Sequence, residues 1–483
     1  MKLEPTEGRK SSVIHVVVLV GLLAIGTALR AAYLTARPVW YDEAITIFQA
    51  KSGFSYILSH YFQGSNPPVA YLVYRLWILI FGDSQISFEI VSVIFGIGSL
   101  YLMYQIACRV FDRITANIAL VLLTFSSYHI FTCQQIRAYS LACFLALLSI
   151  DQLVCFLQKR HKKHLIAWGA VGITMVLTHF YTVFLFLVQI LLLIQRYAHY
   201  KKIDRLKTWH IYTGGSAVIV WVTYLAIFLV KKFHFFPIYP RPHAAWADLQ
   251  LVLQSIFFLS PALVVISCMI VTVFLVKYFW KEKHSDHAEK PFVVFLISWI
   301  FISIVVPLLI SQTMPSFFYV RYYIFTHLAW ILLTAIAVRS VGTFIFHVVV
   351  CGTFIFFLSG LVADYYDDCA QKAKIRKVYE EVAKEYRPGD VIVHENGWTF
   401  GPAFFYHQGK LDEYYLTNEF GIPTLEKQKF KPEILQSHKR LWLFLERPES
   451  LPKVLPQAWL QNSAKRMLKA NPTQLWFLYE LKE

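Results

Sequence analysis

The feature that most constrains this chain is a series of apolar blocks, most of them long enough to cross a hydrocarbon layer, which takes roughly 20 residues of helix. They lie near 13–36, 86–107, 115–134, 138–157, 165–180, 181–195, 209–230, 248–276, 291–311, 322–338 and 341–361. Lipid offers no hydrogen-bond partner to backbone N–H and C=O groups, so the blocks must be helices that close their own bonds. Of the 483 residues, 57% are hydrophobic and 16% charged, where a soluble chain carries about a quarter charged. A mostly α, polytopic membrane protein of about eleven spans is expected. The first block follows Lys2, Arg9 and Lys10, but its length and the lack of a small-residue cleavage site argue for a retained span over a signal peptide.

Net charge is +16. In a soluble chain that balance would suggest nucleic acid; here the cations fall in short links between blocks, where they set topology. Arg109 and Arg113, Lys159 to Lys163, Arg196 to Lys207, and Lys277 to Lys290 all share one side, provided the short apolar stretch 67–82 does not cross. The N-terminal cluster joins them, and the positive-inside rule makes that side cytoplasmic. The stretch 67–82 is therefore expected to lie in the interface. The C-terminus then falls outside, as does the loop 37–85.

Composition changes after Leu361. Residues 371–387 read as an amphipathic helix, Arg387 to Asp390 as a turn, and Val391–Val393, 440–445 and 475–481 as strands. Two domains are expected: a transmembrane domain over 1–362 and a small extracytoplasmic α/β domain over 363–483. Seven cysteines show no metal or disulfide spacing, and only Cys369 lies in the soluble region. No glycosylation sequon occurs, which suits a bacterial envelope protein.

Several stretches on the outer side carry residues with chemistry. Asp42 and Glu43 follow Trp40-Tyr41; a carboxylate there suits a general base, or simply a helix start that favours acids. Asn66-Pro67-Pro68 leads to Tyr71, a sharp entry into a helix. Gln134-Gln135-Ile136-Arg137-Ala138-Tyr139 puts an arginine at a span end, where a lipid phosphate or a head group would meet it. His179 lies in Thr178-His179-Phe180-Tyr181, and Arg321 lies among Tyr319, Tyr322 and Tyr323.

With these stretches in view, the chain resembles the GT-C superfamily, in the branch of protein O-mannosyltransferases and bacterial aminoarabinose transferases. WYDEA at 40–44, NPPVAY at 66–71, CQQIRAYSL at 133–141, THFYTVF at 178–184 and VRYYIF at 320–325 carry the resemblance. It implies a GT-C fold and an inverting transfer of a sugar from a polyprenyl-phosphate donor to a lipid, glycan or protein acceptor on the outer face. Asp42 would be the base, with Glu43 holding its geometry. Asn66, Tyr71, Gln135, Arg137, Tyr139, His179, Arg321 and Tyr322 would bind substrate. Asn66 stands where relatives often carry histidine and Gln135 where they often carry glutamate, so a divalent metal finds no support. The expected site is a bacterial inner membrane, with membrane lipid as surroundings and nucleic acid no partner.

Two other classes compete. A flippase or transporter of a lipid-linked sugar would use intramembrane Arg30, Asp151 and Asp248, although no inverted repeat is visible. A non-catalytic scaffold in polysaccharide assembly would explain Asn66 and Gln135.

Overall fold

The computed structural model describes residues 9–60, 67–200, 246–257, 260–281, 289–313, 318–341, 343–416, 428, 430–445, 464–470 and 476–482. The expected span 209–230 and Asn66 lie outside the described residues. The chain divides into two units, one of residues 1–32, 61–70 and 89–365, the other of residues 33–60, 71–88 and 366–483.

The first unit is helical. In chain order its helices are α1 (Arg9–Ala31), most of α5 (Gln85–Val110), α6 (Arg113–Thr124), α7 (Ser127–Cys133), α8 (Tyr139–Lys159), α9 (Lys162–Val176), α10 (Thr182–Tyr200), α11 (Trp246–Ile256), α12 (Pro261–Val276), α13 (Lys290–Thr313), α14 (Ile324–Val341) and the first half of α15 (Phe344–Glu385). Among the described residues, six helices are long and apolar enough to cross a membrane, or seven if the bent pair α6–α7 is one span. The span windows containing α8 and α14 are 78% and 89% buried and form the centre, whereas that of α12 is only 22% buried and presents its apolar surface outward, as lipid contact requires. Helix α4 (Val69–Phe81), with 13 residues, is too short to span, in keeping with an interfacial reading of 67–82.

Two expected spans are broken. The block 115–134 bends by 63° between α6 and α7, because Ser126 caps the second helix by accepting a bond from the His129 N–H. The block 248–276 splits into α11 and α12, the latter opened by Pro261, whose missing N–H suits a first turn.

A break inside lipid frees carbonyls that need donors. Arg30, fully buried at the end of α1, supplies them. Its guanidinium donates to the carbonyls of Leu123 (2.9 Å), Thr124 (3.2 Å) and Gly26 (3.0 Å), and lies 2.8 Å from His129 Nδ1. Gly96 lets α5 approach this joint: a Cβ there would sit 2.4 Å from Cys133 Sγ.

The helices sort into two ends. At one end His15 bonds Asn117, Arg109 pairs with Asp151 at 3.0 Å, Gln158 donates to the Arg109 carbonyl, and Arg339 pairs with Asp112. This end carries Arg113, Lys159, Lys162 and Lys163. At the other end, Tyr128, Tyr139, His179 and the short 3-10 turn Val320–Tyr323 come together.

The second unit is built on a five-stranded sheet of β1 (Asp390–His394), β2 (Glu413–Tyr415), β3 (Arg440–Phe444), β4 (Ala464–Ala470) and β5 (Trp476–Leu481), in the order β2-β1-β3-β5-β4. β2, β1 and β3 run parallel, and β5 and β4 are antiparallel additions. The three strands expected from sequence are present; β2 and β4 are additional. In place of a separate amphipathic helix at 371–387, α15 runs unbroken for 42 residues into the sheet domain. Gly389, at φ +90, makes the turn before β1. Asp390 ties that turn down: it takes Arg440 at 2.7 and 2.6 Å, the Trp442 indole N–H at 2.9 Å, and the Arg387 N–H at 3.0 Å. Helix α16 (Gly397–His407) crosses from β1 to β2 and packs on α2 (Tyr41–Lys51) through Tyr41, Phe400 and Tyr415.

Beneath α16, Glu413 stands between His394 and His407, all three buried. Burial works against charge on His407, but the hydrogen bond and charge of Glu413 win and raise its pKa. Burial also opposes the Glu413 charge, and the two histidines overcome it and lower its pKa. For His394 burial dominates and the pKa falls.

Two outcomes are expected. Arg30→Met removes the guanidinium donors from the Leu123 and Thr124 carbonyls at the α6–α7 joint and should lower stability by about 2 kcal/mol, read from thermal denaturation in detergent. For His407, a raised pKa means that its contribution is complete below the ordinary value of 6.5 and is lost as pH climbs through the raised one. Glu413, with a lowered pKa, contributes above 4.5. The loss of amide-exchange protection in β1 on His407→Gln should be largest between these values and shrink with rising pH.

Candidate active site

The expected site residues fall into two groups, one in each unit. In the second unit, Trp40 starts α2 with extended backbone, and Asp42 and Glu43 occupy its first turn, where the partial positive charge of the helix end favours them. Their environments differ. Glu43 is 1% exposed, ion-paired to Arg37, and its Oε2 accepts the Trp40 N–H at 3.2 Å. Asp42 is half-buried. A carboxylate consumed by an ion pair and a helix cap holds structure, whereas its neighbour keeps part of its surface exposed.

The stretch ahead of Asp42 is clamped by residues that the sequence did not single out. The Tyr406 hydroxyl, on α16, accepts the Val39 N–H at 2.8 Å and donates to Gln85 Oε1 at 3.2 Å. Gln85 Nε2 in turn donates to the Arg37 carbonyl at 2.9 Å. Val39 and Tyr406 are separated by 367 positions, and no local pattern signals such a contact. Tyr71 also belongs to this unit, buried on α4.

In the first unit, Arg137, Tyr139, His179, Arg321 and Tyr322 come together. The Arg137 guanidinium lies over the Tyr139 ring at 5.9 Å, and the Tyr139 ring centre is 5.4 Å from that of His179. His179 meets the Tyr322 ring at 5.0 Å, and Arg321 lies over Tyr322 at 5.7 Å and over Tyr319 at 5.0 Å. Phe180 and Tyr181 close the aromatic set, the latter 4.9 Å from Tyr322. Edge and tilted ring contacts fix these side chains, and both guanidiniums are held on π faces. Tyr139 is 1% exposed, and its hydroxyl has no hydrogen-bond partner among the described residues, an arrangement that suits a ligand donor or acceptor. Gln135 is buried beside this wall, its carbonyl accepting from Ser92 Oγ and from the Arg137 N–H; its main chain shapes the turn that presents Arg137.

Two of the intramembrane charges named above are engaged in structure. Arg30 serves the α6–α7 joint, and Asp151 pairs with Arg109 at the basic end. Among the described residues, no group of three or more His, Cys, Asp and Glu is arranged to hold a metal ion.

Three comparisons bear on this architecture. Residues 65–230 match the family model described as dolichyl-phosphate-mannose-protein mannosyltransferase. A search of curated proteins finds no match. Among solved structures, the chain is similar to ArnT from Cupriavidus metallidurans in the apo state (TM-score 0.57) and bound to undecaprenyl phosphate (TM-score 0.59). Both share 11% identity over 95% of this chain and 97% of that chain. The fold is thus that of these ArnT structures. The family match includes the motifs around Tyr71, Gln135, Arg137, Tyr139 and His179 and stops before Arg321.

The contrast between the two acids is measurable. Arg37→Met strands the buried Glu43 carboxylate and should destabilise the protein by about 3–5 kcal/mol, whereas Asp42→Asn should shift stability by less than about 0.5 kcal/mol. Thermal denaturation of the two variants in the same detergent reads both values.

Proposed function

We propose that this integral membrane glycosyltransferase of the GT-C superfamily, which draws on a lipid-linked donor, moves a sugar with inversion from a polyprenyl phosphate to an acceptor on the outer membrane face. Asp42 takes the proton from the acceptor hydroxyl or amine as that group attacks the anomeric carbon. The bond from acceptor to anomeric carbon forms as the bond from that carbon to the phosphate oxygen breaks, and the electron pair leaves with the polyprenyl phosphate. One displacement from the opposite side inverts the configuration. Arg137 and Arg321 meet the charge that grows on the leaving phosphate, a large term where donors are already in place. Tyr139, His179 and Tyr322 line the donor's position, with Tyr71, Gln135 and Asn66 contributing to substrate binding. Glu43 holds the Asp42 turn.

The observation that carries this reading is the pair of arginines set on one wall of rings, Arg137 against Tyr139 and Arg321 against Tyr322, with His179 between. Planar guanidiniums match phosphate oxygens, and the structural relative ArnT is described bound to undecaprenyl phosphate. A bacterial inner membrane is the proposed location. The basic end of the first unit then faces the cytoplasm, with the N-terminus on that side and the wall and Tyr365 on the other; the sheet domain is proposed to be extracytoplasmic. The acceptor is a lipid, glycan or protein.

Purified protein in lipid, given radiolabelled polyprenyl-phosphate sugars and a membrane extract of acceptors, should transfer label. Asp42→Asn should lower transfer by about 10²–10⁴-fold with donor binding unchanged, while Arg137→Ala and Arg321→Ala should mainly weaken donor use. Full activity in Asp42→Asn would remove the base assignment.

A further inference from the structure

We infer that Gln134 is a positioning residue for the transfer, an inference that rests on the proposed function above. The side chain is 5% exposed and holds two stretches of chain at once. Its Nε2 donates toward the carbonyls of Leu29 (3.3 Å), Arg30 (3.1 Å) and Ala32 (2.8 Å), all at the C-terminal end of α1. Its Oε1 accepts the Tyr365 hydroxyl at 2.7 Å, and the Tyr365 ring packs edge-on against Phe131 at 5.4 Å.

Ala32 and Tyr365 are not arbitrary positions. Each is the last residue of the first unit before the chain passes into the second. Ala32 leads to Asp42, and Tyr365 leads down α15 to the sheet. On the far side of the division, Tyr33 and Tyr366, the next residues of the same two stretches, stack at 5.0 Å. In the first unit one amide ties these two stretches, and in the second a ring pair ties their continuations.

The turn that follows is strained. Tyr33 and Thr35 adopt left-handed backbone, φ 57 and 64, which is costly for bulky and β-branched residues and persists only where surroundings enforce it. Gln134 fixes the carbonyls up to Ala32 and so sets where this turn begins. It is also the immediate neighbour of Gln135, whose carbonyl shapes the Arg137 turn. One residue thus sits between the stretch that presents the phosphate-binding arginine and the stretch that leads to the base. A displacement of about 1 Å in such a constellation costs up to about 100-fold in rate.

The test uses the full chain with an undecaprenyl-phosphate sugar as donor and undecaprenyl phosphate as the binding probe. Gln134→Ala should lower kcat at least about tenfold while probe affinity stays within about twofold, and Tyr365→Phe should show a smaller loss in the same direction. Leu147→Ala, a cavity in the buried face of α8 remote from both crossings in sequence, serves as the stability control. The inference is overturned if Gln134→Ala retains full kcat, if its loss equals that of Leu147→Ala at equal thermal stability, or if probe affinity falls in parallel. Transfer that survives in Asp42→Asn but falls in Gln134→Ala would sink the base assignment and leave the positioning role standing.

Discussion

The structure depends on satisfying backbone groups where helices break in a solvent without hydrogen bonds. An unbroken span closes its own ladder, but a bent one leaves carbonyls that lipid cannot serve. Here the bend between α6 and α7 is served by Arg30, and the end of α1 by Gln134. The broken span delivers the turn that carries Arg137, so the same contacts that make the break tolerable also define one wall of the candidate site. An intramembrane arginine is commonly read as a sign of transport. In this chain its partners are main-chain oxygens and a histidine, and its role is architectural.

The two acids of the Asp42 turn show how neighbours acquire different uses. Helix position draws both carboxylates to the first turn. Burial and Arg37 commit Glu43 to holding the turn, whereas Asp42 stays half-buried, which is what the proposed base requires. The clamp through Gln85 and Tyr406 adds a second level of control, because it ties the approach to Asp42 to a helix of the sheet domain. That domain is therefore part of how the turn is held.

Much of this was legible in the sequence. Apolar blocks of the right length gave the helical class, and the turn at Arg387 to Asp390 with its flanking apolar runs gave β1, β3 and β5. The outer-side motifs named Arg137, Tyr139, His179, Arg321 and Tyr322, which the fold gathers into one wall. What hydropathy could not give were the breaks, since a serine cap at 126 and a proline at 261 are small marks inside otherwise apolar blocks. The clamp was invisible for a different reason, being a pairing between positions 367 apart. β4, with Lys465, Arg466 and Lys469, carries too much charge to read as a buried strand, and its edge position in the sheet explains why. The continuity of α15 was hidden by its change of character from apolar to charged midway.

The strand order also sets a schedule for synthesis. β4 bonds only to β5, and β5 lies between β3 and β4 although it is the later of the two in sequence. As the chain is made, β1, β2 and β3 can assemble their parallel core, but β4 emerges before its own partner, β5. It must wait, unpaired, until residues Trp476–Leu481 have left the ribosome. Completion of the sheet thus follows translation of the described apolar helices, and a nascent chain held short of β5 carries an open edge on β3 that invites pairing with the wrong partner.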